Sequence, residues 1–307
     1  MAAAGAIAQD TEETIGKGGN LRHLLACGLA AALLLTGLEP IVEARPVDEG
    51  GVEKARTDAE AVLAHVRRGV ILERRGRLAE AIEEYGEAIR LRPDDFRWYV
   101  LRGAARVELK HYEAALADLD TVIRLAPRDS LAHGARGALL LVMKDYKRAD
   151  AEFEEAIRLD PRSPSAYLGR GGLRAARKDF NGAIADYTES IRLNPKKAVA
   201  YRARAESWFH TGRYARALAD GEEAVRLDPE NPDNLGALAS MLATVPDENL
   251  RDGKRAVELA REAAELTQWK DSAVLATLAA AYRETGEFEK AVRWQSKALE
   301  LYSRSRP

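Results

Sequence analysis

The chain has 307 residues, of which 46% are hydrophobic and 31% are charged, as is normal for a soluble folded protein. Its formal net charge of −2 excludes the strongly basic surface expected of a nucleic-acid-binding protein, and it gives no charge for attraction to a membrane surface. Cys27 is the single cysteine, so an internal disulfide and a thiolate metal site are both excluded.

An uncharged apolar run, Leu24–Leu38, dominates residues 1–44. Lys17 and Arg22 precede it, and at 1.5 Å per residue it spans about 22 Å, short of the ~30 Å hydrocarbon layer. This length fits the core of an export signal, and the small residues before Arg45 suit cleavage there. Residues 1–44 are therefore predicted to export the chain to the periplasm or the medium. An uncleaved membrane anchor through residues 24–38 and a structural apolar helix are the alternatives, and a cytoplasmic location is disfavoured.

Residues 45–59 form a polar stretch that is predicted to be a linker, and beyond it four residue types recur every 34 positions. The series are a proline (Pro93, Pro127, Pro161, Pro195, Pro229), a leucine two positions before each proline, an alanine (Ala81, Ala115, Ala149, Ala183, Ala217) and a glycine (Gly69, Gly103, Gly137, Gly171, then Ala205). Four series that share one period indicate a tandem repeat architecture.

Each repeat has the pattern of two helices joined by a short turn. In residues 164–195, Tyr167 and Gly171 lie along a first helix, and apolar residues from Phe180 to Ile191 line one face of a second. Pro195 ends the second helix, because proline lacks an N–H group and disfavours helical geometry in the residue before it.

This helix–turn–helix unit resembles the tetratricopeptide repeat (TPR) of bacterial-type proteins that carry an N-terminal signal or anchor. The resemblance implies an all-α fold, a right-handed superhelical solenoid of about seven repeats over residues 60–303, followed by a tail at 304–307. The fifth repeat carries Gly221 where the others have a bulky residue, which predicts a local gap or a kink. The sixth contains an insertion at 246–252. The repeats are placed at 62–95, 96–129, 130–163, 164–197, 198–231, 232–269 and 270–303.

An arginine precedes the recurring glycine position, where the family usually has an apolar residue, and an acid follows sixteen residues later. The two positions lie at the same height in an antiparallel hairpin, so each arginine is predicted to form a salt bridge with its acid. In the last two repeats both partners change together, to Leu238 with Leu259 and to Leu278 with Trp294. An arginine ladder that binds anions is the disfavoured alternative, because paired charges satisfy each other. The predicted pairs are Arg68 with Glu84, Arg102 with Asp118, Arg136 with Glu152, Arg170 with Asp186, and Arg204 with Asp220.

The resemblance also implies that the first helices of the repeats line a ligand groove, apolar in the first four repeats and polar toward the fifth. The lysine- and asparagine-based carboxylate clamp of some family members is missing, so an amphipathic helix or an apolar extended peptide is the expected guest. Packing between repeats is the alternative role for these positions. The predicted groove residues are Val66, Val70, Val100, Ala104, Val107, Ala138, Leu141, Leu168, Gly172, Ala175, Arg202, Glu206 and Phe209.

Catalytic and cofactor chemistry is not expected. No phosphate-binding glycine loop follows a strand, no paired-cysteine or His-Glu-x-x-His metal motif is present, and the scattered histidines are predicted to be core residues. The sequence therefore predicts a non-enzymatic adaptor, without cofactor or metal, that binds a protein or peptide. The alternative is a structural homo-oligomer that stacks through its uncapped C-terminal repeat.

Overall fold

The structure is a computed structural model that describes the backbone of residues 49–304 and the side chains of residues 58–304. Within this range there are fourteen α-helices, one short 3₁₀ helix and no strand, which confirms the predicted all-α class. The predicted signal or anchor at 1–44 and residues 305–307 of the predicted tail lie outside the described residues.

The helices between Glu49 and Arg304 form seven consecutive hairpins. Their first helices are α1 (Glu49–Arg74), α3 (Phe96–Glu108), α5 (Ser130–Val142), α7 (Pro164–Ala176), α9 (Ala198–His210), α11 (Pro232–Thr244) and α13 (Ser272–Glu284). Their second helices are α2 (Leu78–Leu91), α4 (Tyr112–Leu125), α6 (Tyr146–Leu159), α8 (Phe180–Leu193), α10 (Tyr214–Leu227), α12 (Gly253–Leu266) and α14 (Phe288–Arg304). The 3₁₀ helix, Glu248–Leu250, lies inside the predicted insertion between α11 and α12.

Helix α1 begins earlier than the sequence predicted. It starts at Glu49, so the predicted linker at 45–59 is helical from that residue onward, and the linker prediction is wrong there. The polarity of this stretch suggested a linker, but polar residues such as glutamate, lysine and arginine are also good helix formers. The next proline after Pro46 is Pro93, so no proline interrupts the helix.

The turns inside the hairpins reverse the chain through one left-handed residue. Six hairpins have such a residue between their helices, with φ between 61° and 79°. Glycine adopts this conformation freely, whereas the Cβ of a lysine meets steric strain there. The residues are Gly76, Lys110, Lys144, Lys178, Gly212 and Gly286.

The recurring leucine and proline mark the end of each of the first five second helices. The leucine is the last helical residue of α2, α4, α6, α8 and α10, and the proline follows two positions later. Most of the next first helices then begin at a side-chain cap; Asp129 at the start of α5, for example, accepts hydrogen bonds from two backbone N–H groups. These local signals set the period of the repeat.

The chain divides into two compact units, the first ending at Pro161 and the second beginning at Arg162. In the first unit, each helix from α1 to α5 packs against the helix that follows it. Its largest buried cluster joins the first two hairpins through residues that include Tyr85, Trp98 and Leu101. In the second unit, helices α7 to α14 pack in the same sequential way, with α11 and α13 also in contact.

The recurring glycines allow the two helices of a hairpin to approach closely. A Cβ atom built on Gly171 would lie 2.5 Å from Cε1 of Tyr187, so the tyrosine ring packs directly on the glycine. Gly221 interrupts this pattern, but neither the predicted gap nor the predicted kink is present. Helix α10 is continuous, and a Cβ at Gly221 would lie 3.1 Å from Cδ1 of Leu238, which fills the space from the next hairpin.

Candidate functional site

All five predicted arginine–acid pairs are in contact between the two helices of their hairpins. Each arginine comes from the first helix and each acid from the second, and the closest contacts range from 2.7 to 3.0 Å. The acids are buried or half-buried, and four of the five arginines are half-buried, so these four pairs are largely shielded from solvent, whereas Arg68 is exposed. The contacts link Arg68 with Glu84, Arg102 with Asp118, Arg136 with Glu152, Arg170 with Asp186, and Arg204 with Asp220.

The three pairs that use aspartate share one geometry. Nε and Nη2 of the arginine donate to the two oxygens of the carboxylate, as Arg204 does to Asp220 at 2.7 and 2.9 Å. The guanidinium also lies over the ring of the tyrosine one turn earlier, at 5.6 Å for Arg102 and 5.7 Å for Arg170 and Arg204. A planar guanidinium suits both contacts at once.

The two pairs that use glutamate have a histidine in place of that tyrosine. Nδ1 of His65 lies 2.7 Å from Oε2 of Glu84, and Nδ1 of His133 lies 2.9 Å from Oε2 of Glu152. Oε2 of Glu84 also accepts from Nε of Arg68, whereas Glu152 uses its other oxygen, Oε1, to accept from Nη2 of Arg136. In all five hairpins, histidine therefore accompanies glutamate and tyrosine accompanies aspartate. This covariation is visible in the sequence, but the sequence analysis missed it.

Further contacts occupy most of the donors and acceptors of the pairs. Asp118 also accepts from Nη1 of Arg106 at 2.6 Å, and Asp186 lies 2.9 Å from Nη1 of Arg174. Nη1 of Arg136 donates to Asp120 at 2.8 Å. Because the guanidinium and carboxylate groups are engaged with one another, the geometry favours a structural role for this series over an anion-binding ladder.

The predicted groove positions of the first unit differ in exposure. Val66, Val70, Ala138 and Leu141 are half-buried. Val100, Ala104 and Val107 are buried, so they cannot line an open groove, and their prediction as ligand contacts is corrected. Val100 packs in a cluster with Val122 of its own hairpin and Ala132 of the next one, and Val107 packs in a cluster with Ala135 and Leu139 of the next hairpin.

The predicted groove positions of the second unit remain accessible. Leu168, Gly172 and Ala175 on α7 are half-buried. On α9, Arg202 and Phe209 are half-buried and Glu206 is exposed. Phe209 packs edge-to-face against Tyr214 of α10, with ring centroids 5.1 Å apart.

Arg202 and Glu206 form a weak polar contact next to the buried Tyr187. Nη1 of Arg202 lies 3.3 Å from Oε1 of Glu206, and among the described residues Nε of Arg202 has no hydrogen-bond partner although it is buried. Burial, and after it the charge of Glu206, raise the pKa of Tyr187 above its usual range, whereas Arg202 acts in the opposite direction. The Arg202 guanidinium is thus only partly hydrogen-bonded within its hairpin.

The described residues contain neither a cluster of metal-binding side chains nor a helix that could span a membrane. Between Asp58 and Arg304, no group of three or more histidine, cysteine, aspartate or glutamate side chains is arranged to hold a metal ion. None of the helices described between Glu49 and Arg304 combines the length and the apolarity needed to cross a bilayer.

Sequence comparison finds repeat families along most of the described chain. Models described as tetratricopeptide repeat match residues 100–164, 135–198 and 166–232, and a further one matches 272–304. A model described as TPR repeat matches residues 69–110. Together these matches cover more than half of the chain, whereas a comparison with curated proteins finds no match.

Solved structures with a similar fold come from several proteins. A tetratricopeptide repeat protein from Parabacteroides merdae is 20% identical over 92% of this chain and 99% of its own, with a TM-score of 0.60. A thermophilic TPR protein in Thermus thermophilus is 22% identical over 60% of this chain and 100% of its own, with a TM-score of 0.53. A chain of the APC/C hetero-tetramer Cut9–Hcn1 is 19% identical over 74% of this chain and 43% of its own, with a TM-score of 0.60. At these identities the likeness establishes the fold alone.

Proposed function

Because the chain belongs to the tetratricopeptide-repeat family, we propose that it is a non-enzymatic scaffold that holds a peptide segment of a partner protein. Family members generally serve as scaffolds for protein–protein interaction, and stacked repeats present extended surfaces for that purpose. We place the contact on the first helices of the second unit, α7 and α9. In the first unit, by contrast, three of the predicted groove residues are buried.

The weak contact between Arg202 and Glu206, beside the half-buried Phe209, is the observation that carries this proposal. All three residues lie on α9, and Glu206 is exposed. Because Nη1 of Arg202 lies 3.3 Å from Oε1 of Glu206, a bound peptide that offers a better-placed acceptor can compete for this guanidinium. The proposed ligand is therefore an apolar peptide segment, extended or helical. It presents a backbone carbonyl or a carboxylate to Arg202, and its apolar side chains contact Leu168 and Ala175.

Peptide selection followed by two matched substitutions tests the proposal. Peptides selected from a random display library on the full chain would be titrated against variants. Ala175→Arg fills the α7 face with a long charged side chain, and Ala215→Arg makes the same change on the exposed side of α10. We expect Ala175→Arg and Arg202→Leu each to weaken binding about 10-fold or more, and Ala215→Arg to leave it unchanged. Equal loss in all three variants, or no loss in Ala175→Arg, contradicts the proposal.

We further propose that Leu24–Leu38 directs export of the chain or tethers it to a membrane. The support is the uncharged run itself, preceded by Lys17 and Arg22 and followed by small residues before Arg45. The intact mass of chain recovered from a bacterial periplasm tests this, with a chain that begins at Arg45 as the expected product. An uncut chain found only in the soluble cytoplasmic fraction is the contrary result, whereas an uncut chain in the membrane fraction indicates a tether.

Self-assembly is a second candidate function, favoured by one observation. The last helix, α14, exposes several large apolar residues, whereas the matching positions of earlier second helices in this unit are covered by the next hairpin. We propose that a copy of the same protein covers this surface. Sedimentation of the full chain over a range of concentrations tests whether it associates.

A further inference from the structure

Helix α14 carries an apolar stripe on the side away from its own hairpin. We call it the α14 stripe; Phe288, Val292, Leu299 and Tyr302 form it, with exposures of 65%, 66%, 58% and 48%. The opposite side of α14 is packed, because Ala298 is buried and Trp294 and Leu301 join the core of the last two hairpins. Large apolar side chains grouped on one face in this way are typical of an interaction surface.

The earlier hairpins of the second unit show what such a stripe contacts. Ile184 and Ile191 occupy in α8 the positions that Val292 and Leu299 occupy in α14. They are only 7% and 9% exposed, because α9 packs against α8. The α14 stripe thus has the arrangement that accepts a helix elsewhere in this unit, and a helix is the element expected to cover it.

The α14 stripe is complementary to itself when two copies run in opposite directions. With Gln295 at its centre, successive members are four, three, four and three residues apart, the spacing of a helix–helix seam. Read in either direction, the stripe is aromatic, aliphatic, amide, aliphatic, aromatic. Because an amide has both a donor and an acceptor, two Gln295 side chains can satisfy each other. We infer that α14 pairs antiparallel with α14 of a second copy, across a two-fold axis beside Gln295. This inference rests on the proposed self-assembly and adds its geometry.

Head-to-tail stacking onto α1 of another copy is disfavoured by the residues that α1 presents. In α3, Leu101 and Ala105 face the preceding hairpin and belong to its core. The matching residues of α1 are Arg67 and Ile71, both exposed. Stacking would place the Arg67 guanidinium on the apolar side chains of the stripe and remove it from water, which is unfavourable for a charged group.

A parallel pair is also disfavoured, because of Glu289. This residue flanks the stripe, so in a parallel pair the two copies of Glu289 would lie at the same height along the seam. In an antiparallel pair centred on Gln295 they are about 18 Å apart along the axis, beyond the screening length of about 8 Å in physiological salt. Antiparallel helices also place opposite dipole ends side by side.

Sedimentation equilibrium of the full chain and two matched variants tests the contact. Leu299→Glu puts a charge in the α14 stripe, and Ile71→Glu makes a comparable change on the exposed face of α1. We expect the full chain to dimerise with a dissociation constant in the micromolar range, as befits a small interface. Leu299→Glu should raise that constant about 10-fold or more, and Ile71→Glu should leave it unchanged. Circular dichroism should be the same for all three, since both substituted residues lie at the surface.

Disulfide trapping tests the geometry separately, in a Cys27→Ser background that removes the only native cysteine. Gln295→Cys should crosslink to its own copy because it lies on the two-fold axis. Phe288→Cys should not, because in an antiparallel pair it faces Tyr302. Efficient crosslinking of Phe288→Cys would instead reveal a parallel pair and overturn the inferred geometry while self-assembly stands. A chain that stays monomeric at all concentrations, or one whose association survives Leu299→Glu, overturns both.

Discussion

The pair between Arg204 and Asp220 offers the most direct test of how charge holds a hairpin together. Both carboxylate oxygens accept from the guanidinium, and both side chains are mostly buried. Losing one partner of a buried pair costs about 3–5 kcal/mol, because the remaining charge is left without compensation. Arg204→Leu leaves the short Asp220 carboxylate without a partner in a site where it cannot reach water. We therefore expect this change to lower the free energy of unfolding by about 3 kcal/mol. Asp220→Leu should lower the free energy of unfolding less, by about 2 kcal/mol, because the longer side chain of Arg204 can extend its guanidinium to solvent.

The double variant should recover much of this loss. In the sixth hairpin, Leu238 and Leu259 occupy the same two positions, so a pair of leucines is compatible with the hairpin. We expect Arg204→Leu with Asp220→Leu to cost about 2 kcal/mol in total, mainly from lost contacts of Arg204 with Thr188 and Tyr201. The implied coupling is about 3 kcal/mol.

Urea denaturation at neutral pH, with the slope of unfolding compared across variants, measures each value. Arg226→Leu is the matched control: Arg226 forms an exposed pair with Glu223 one turn away, and its loss should leave stability nearly unchanged. Single losses that simply add in the double variant would show that the two side chains do not stabilise the hairpin as a pair. The pair of Arg136 and Glu152 suits this cycle less well, because Asp120 and His133 are additional partners.

Three further predictions concern other features of the hairpins. Gly171→Ala should lower the free energy of unfolding by about 2 kcal/mol, because the new Cβ would overlap the ring of Tyr187. Gly236→Ala should raise it slightly, because its Cβ would meet nothing closer than 3.9 Å. Equal shifts of the two melting temperatures would contradict this. Lys178→Gly should raise the free energy of unfolding by about 1 kcal/mol, because Lys178 has a φ of 63°, which strains a residue that carries a Cβ. An unchanged urea midpoint would show that the lysine is not strained. Burial raises the pKa of Glu84, but hydrogen bonds to its histidine and arginine partners outweigh burial and lower it. The ionised Glu84 therefore stabilises the fold above about pH 4.3, and this stabilisation is lost as pH falls through the depressed pKa. Glu84→Gln should be less stable than the unchanged chain at neutral pH and should lose less stability on acidification. If the stability of both proteins falls in parallel with pH, this prediction is wrong.

The repeat architecture could be predicted from the sequence because its signals are local. The proline and the leucine before it end each second helix, and the turn lies where the helical pattern breaks. The arginine–acid pairs were predictable for a similar reason, since two positions at one height of a hairpin are related by a fixed separation in sequence. The exchange of both members for apolar residues in the last two hairpins gave an independent sign of contact.

Features that depend on neighbouring hairpins could not be predicted in the same way. Val100 and Val66 occupy the same position in successive repeats, yet Val100 is buried and Val66 is half-buried, because the surrounding side chains differ. Gly221 suggested a gap, but Leu238 of the next hairpin fills that space. One repeat read alone contains neither fact. The polarity of residues 49–59 was equally misleading, because it does not distinguish a linker from a helix.

We propose that a partner peptide lies along α7 and α9. Hydrogen–deuterium exchange of the full chain, with and without a selected peptide, tests it most directly, because protection maps the contact without any substitution. We predict slower exchange in residues 164–176 and 198–210 on binding, with little change in α8 and α10. Protection confined to second helices, or to α14 alone, would show that the peptide binds elsewhere.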